Sequence, residues 1–171
     1  MCKSTLQKEV ASPVNHAVET DKRITFLCPH HRDWVYFNSQ DALDTLDQIQ
    51  IKGEILIDHQ KWAEALPFIG SAWETTEILL QLYSGENISL VNRLGCLTIL
   101  LCSCLEKLGH KDCANKICHQ TTSALTVQLL QMQENSEKHT YLMACIEQLK
   151  TPEKFRVHII PQPQQTTSMF H

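Results

Sequence analysis

Glycine and proline are scarce in this chain, with five Gly and six Pro among 171 residues. A sandwich or barrel of many short strands needs more turn residues than that, so the composition argues against a turn-rich all-β fold and toward helix. An excess of positive charge is also missing. The net charge is −4 and the pI is near 6.1. Lys and Arg are scattered, with no run dense enough to track a phosphate backbone, so nucleic acid is not an expected partner. Long apolar runs are absent too. The longest, Leu97 to Leu105, is interrupted by Thr98 and Ser103 and is too short to span a bilayer. Met1-Cys2-Lys3 opens onto polar residues rather than an apolar signal segment. The expectation is a cytoplasmic protein without a membrane partner. No Gly-rich phosphate loop, nucleophile elbow, HExxH or CxxC occurs. Nothing local marks a catalytic centre, and a non-enzymatic role is expected.

What remains is an ordinary globular composition, 43% hydrophobic and 20% charged, at the length of one domain. A chain of this size buries about 70% of its unfolded surface and needs no staple. The eight cysteines are then thiols in a reducing compartment, packing as small hydrophobes. Cys96, Cys102, Cys104, Cys113, Cys118 and Cys145 all fall in helical patterns.

Residues 1–23 are polar and aperiodic, and read as a flexible arm. Residues 24–150 read as a single helical domain. Its first part, 24–37, is a β-prone cap. Ile24-Thr25-Phe26-Leu27-Cys28 and Trp34-Val35-Tyr36-Phe37 flank Pro29-His30-His31-Arg32-Asp33 like a hairpin or two extended segments. Helix pairs at 39–84 and 87–133 follow. Ala42, Leu43, Leu46, Ile49, Gly53, Leu56 and Ile57 share one face of the first helix. The second runs from about Trp62 to Tyr83. The third begins at Asn87 or Ser89, carries Leu90, Leu94, Leu97, Leu101, Cys104 and Leu108, and stops at Gly109. The fourth spans about Asp112 to Met132, and a capping helix occupies 136–150. Residues 151–171 are a tail, with Phe155 to Ile159 alternating like an edge strand before a loose Pro- and Gln-rich end.

Helices joined by two or three residues lie antiparallel, and neither pair can hide its apolar face alone. In the first pair the spacing is Gly53-x2-Leu56-x5-Trp62-x2-Ala65-x3-Ile69-x2-Ala72. This resembles the tetratricopeptide repeat. Gly53, Ala65 and Ala72 would let helices approach, while Leu56, Trp62 and Ile69 would fill the spaces between them. The second pair matches the same frame with Leu101, Cys102, Leu105, Gly109, Ala114, Cys118 and Thr121. The departures are plain. Ile49 stands at the usual Trp site, Lys52 at the usual Leu, Glu77 at the closing Pro and Lys111 at the turn aromatic. Ala65 and Ala114 are 49 residues apart, against a family period of about 34.

The resemblance covers residues 40–132 and implies a mainly α fold of stacked antiparallel hairpins in a short array or bundle. It also implies a binding role, comparable to small bacterial adaptors and secretion-type chaperones, with another protein or a peptide as partner. The groove would be lined by the first helix of each pair, with Gln48, Lys52, His59, Asn92 and Arg93 as candidates. The exposed edge of such an array calls for a cover, either the capping helix or a second copy in a homodimer.

Cys28-Pro29-His30-His31 is the sharpest local feature. A thiolate and an imidazole three apart, Cys28 and His31, supply half of a tetrahedral zinc site, and a full site needs two more ligands. No cofactor is therefore expected, with zinc as the alternative. A metal- or redox-responsive regulator is the second functional reading. Cys102 and Cys104 point about 200° apart around a helix and cannot easily bridge. A disulfide between helices, such as Cys104 with Cys118, is compatible with the pairing.

Overall fold

A computed structural model describes residues 23–83, 87–134 and 136–150. Among them every regular element is an α-helix: α1 (Pro29–Phe37), α2 (Ser39–Asp58), α3 (Trp62–Leu82), α4 (Ile88–Lys107), α5 (Lys111–Gln131) and α6 (Glu137–Lys150). The arm up to residue 22 and the strand expected at 155–159 lie outside the described residues.

The β-prone reading of 24–37 is corrected on two counts. Trp34-Val35-Tyr36-Phe37 is the end of α1, not a strand. Pro29 occupies the first turn, where its missing N–H leaves no orphan and its φ is already helical. Helical spacing then puts Arg32 and Val35 on one side, where Val35 is buried and Arg32 reaches α3. Four β-branched or aromatic residues cannot outweigh those contacts, because β propensity largely measures fit to a neighbouring strand. Residues 24–28 form neither helix nor strand, with a bend at Leu27 and extended backbone at Cys28.

The longer helices follow the apolar periodicity. Asn38 ends α1 and begins α2, its backbone N–H and Nδ2 both donating to Trp34 O at 2.8 and 3.0 Å. Asn87 caps α4 by accepting from Leu90 N–H at 3.3 Å. The two pairs share one register. α2, α4 and α6 start at Ser39, Ile88 and Glu137, each 49 residues after the one before. α2 and α4 are both 20 residues long, and α3 and α5 both 21. Their turns match as well. Gln60 at φ 58° and Gly109 at φ 83° occupy the left-handed region. The next residues close the helix ends, Lys61 N–H to Leu56 O and His110 N–H to Leu105 O, both at 2.8 Å. Gly109 takes this conformation without strain, whereas Gln60 is the uncommon non-glycine case.

Sequence neighbours pack together from α2 through α6, and α4 also meets α6. Trp73, Ile78, Leu79, Leu94, Leu97, Leu101, Ile117, Leu125 and Leu142 fill the core. α3 is its centre. From Ala72 to Leu80 every residue is buried, which marks a helix apolar on all sides except for two acids and two threonines. One polar chain crosses the core. Trp73 Nε1–H donates to Thr121 Oγ1 at 3.0 Å, and Thr121 lies 2.9 Å from Thr98, which donates to Leu94 O at 2.7 Å. By length and composition α4 is also apolar enough to cross a membrane, but half of that stretch is buried inside the protein.

Candidate functional site

The irregular residues 24–28 have main-chain groups that need partners, and side chains of α3 and α5 supply them to Ile24, Phe26 and Leu27. Glu74 Oε2 accepts from Phe26 N–H at 2.6 Å and Leu27 N–H at 2.7 Å, while Oε1 accepts from Arg32 Nη1 at 2.5 Å. Gln120 brackets Ile24, accepting its N–H at 2.9 Å and donating to its C=O at 3.2 Å. Phe26 packs edge-on against Trp73, with ring centroids 6.2 Å apart. It sits directly over Gly70, where a Cβ would fall 2.2 Å from Phe26 Cδ1. Only glycine leaves room for that ring.

Helical i,i+3 spacing places Glu77 beside Glu74 on α3, both fully buried. Arg23 pairs with Glu77. Burial pushes the Glu77 carboxyl above its usual value; Arg23 opposes this, and the neighbouring Glu74 charge adds to the rise. Arg23 and Glu77 also line a groove on the α3/α5 seam, together with Gln81, His119, Gln120, Ser123 and Val127 among others. None of this constellation stood out among the sequence candidates. Its one visible signal was the presence of Glu74 and Glu77 inside an otherwise apolar helix.

The candidates chosen from the sequence are dispersed. Gln48, Lys52 and His59 are exposed on α2 or at its end. Lys52 Nζ lies 4.4 Å over the Phe68 ring, and His59 Nδ1 is 2.7 Å from Ile55 O. On α4, Asn92 is exposed and Arg93 is tied to Asp47 of α2 at 2.5 Å. Of the packing set, Gly53, Ala65, Ile69, Ala72, Leu105 and Ala114 are buried, while Leu56 and Trp62 are half-buried. A Cβ on Gly53 would stand 2.5 Å from Ile69 Cδ1. Cys28 Sγ and His31 Nδ1 are 3.1 Å apart and exposed. They provide two donors, and among the described residues no group of three or more His, Cys, Asp or Glu could hold a metal.

The thiols divide into two groups. Cys104 is fully buried, and burial pushes its thiol up to about 11. It is Cys102, not Cys104, that meets Cys118, with the sulfurs 3.3 Å apart. Cys102 also donates to Ala114 O at 3.3 Å. A cavity of about 110 Å³ between α4, α5 and α6 touches Cys96, Cys102, Cys118 and Cys145. Burial raises the Cys145 pKa against the opposing hydrogen bond from Tyr141, and Cys96 adds to the rise. Comparison with known protein families, curated proteins and solved structures returns no match for this chain.

Proposed function

We propose that this protein is a non-enzymatic interaction module, an adaptor or chaperone-like scaffold, that binds an extended segment of a partner protein on its helical hairpins. The reading takes the helix pairs as a short tetratricopeptide-like array with a 49-residue period. The observation that carries it is the hold on residues 24–28. Side chains of α3 and α5 satisfy main-chain amides of an irregular segment and seat one aromatic against Trp73 and Gly70. That is how a helical surface recognises a peptide backbone, here the chain's own. The groove that Arg23 and Glu77 line offers the same seam to a partner.

His119 and Ser123 are exposed on that groove, so His119→Glu with Ser123→Glu alters its charge without touching the core. In pull-downs from the native cell, the unaltered chain should retain a protein that the double variant loses. Equal capture by both, or capture by neither, would remove the reading. A redox-responsive regulator is the second reading, favoured by the Cys102–Cys118 contact.

A further inference from the structure

The 49-residue register aligns Gly53 with Cys102 and Ile69 with Cys118. In the first pair the helices pack tightly at this point, where a Cβ on Gly53 would run into Ile69. In the second pair the same point holds two thiols, one from each helix, 3.3 Å apart. We infer that Cys102 and Cys118 are a modification site, a dithiol that hydroperoxides convert to an intramolecular disulfide joining α4 to α5. This rests on the redox reading above and gives it its residues.

The geometry supplies both requirements. Closing the sulfurs to the ~2.05 Å of a disulfide needs an approach of about 1.3 Å, within the reach of side-chain rotation and slight helix shift. Access comes through the cavity that Cys102 and Cys118 both line. Asn92, Cys96 and Gln148 line it and are exposed, marking its mouth, and its volume of about 110 Å³ admits hydrogen peroxide. The chemistry balances in two steps. One thiol takes an oxygen from peroxide to become a sulfenic acid, releasing water. The second sulfur then attacks the first, forming the S–S bond and expelling a second water. The two thiols are oxidised together by two electrons, and the peroxide is reduced. Cys104, two residues further on, lies about 200° away around the helix.

The test uses the full chain, reduced, exposed to hydrogen peroxide while folded and then alkylated in denaturant. Trypsin places Cys102 in peptide 94–107 and Cys118 in peptide 117–138. Cys102 and Cys118 should lose alkylation together, their two peptides should appear linked by fragment assignment, and dithiothreitol should restore both. The link should persist in Cys104→Ala, and peptide 94–107 should stay unlinked in Cys118→Ala. The assignment is overturned if both thiols stay alkylatable at exposures that oxidise the exposed Cys28. It is also overturned if Cys118 links to Cys104, or if the linked peptides come from a covalent dimer. The measurement on the unaltered chain decides the matter even where the Cys118 variant does not fold.

Discussion

The two helix pairs share lengths, turns and register, yet they use the same backbone positions for different chemistry. At one matched contact the first pair has Gly53 against Ile69, and the second has Cys102 against Cys118. One turn further along, α3 carries Glu74 where α5 carries Ser123. Glu74 is fully buried and holds residues 26 and 27 with Arg32, whereas Ser123 is exposed. The contrast shows that a repeated backbone constrains packing volume but not polarity. Polarity follows from what covers each helix, and α3 is covered by the irregular segment and α1.

The largest break in that comparison should come from Glu74. Glu74→Ala removes the acceptor of two main-chain amides and leaves Arg32 without its carboxylate, a loss of about 3–5 kcal/mol in urea unfolding. Ser123→Ala, at the matching position, should stay within about 0.5 kcal/mol, as an exposed substitution does. Similar losses at both sites would contradict the asymmetry.

A smaller effect is expected where the helices meet. Gly53→Ala puts a methyl into Ile69, and overpacking of about 1–3 kcal/mol is offset by about 1 kcal/mol of helix propensity. The clash is with the side-chain tip, so adding Ile69→Val should recover part of the loss in a double-mutant cycle. Cys102→Ala leaves a gap instead of a clash, for about 1 kcal/mol, and should not couple to Ile69. Strict additivity of the Gly53 and Ile69 changes would show that the approach at Gly53 is not limiting.

The smallest effect is a pH slope. The folded Glu77 pKa lies above its usual 4.5, so the fold binds this proton more tightly than the unfolded chain does. Its contribution is fully present below 4.5 and is lost as pH rises through the raised folded value. Between about pH 4.5 and pH 7.5, the urea midpoint of the unaltered chain should fall relative to that of Glu77→Gln. Parallel curves would mean that Arg23 fully offsets burial.

Much of the helical centre was legible from local chemistry. Leu90, Leu94, Leu97 and Leu101 announce α4 by spacing, Asn87 its start and Gly109 its end. The N-terminal region misled because Trp34 to Phe37 carry β-prone side chains while their helical form depends on Pro29 and on burial of Val35. The thiol pairing was half visible, since Cys118 was named with the wrong partner.

By itself, the sequence determined what depends on neighbours within a few turns: the approximate spans of α2 to α6, the start of α4 at Asn87 and its stop at Gly109, because hydrogen bonds and side-chain spacing within a helix are local. Only the tertiary structure decided which residues meet across helices. Glu74 finds Phe26 at a separation of 48 residues, Gln120 finds Ile24 at 96, and Cys102 rather than Cys104 faces Cys118. Those choices depend on helix rotation and packing distance, to which a two-residue shift in sequence is a turn of about 200° in space.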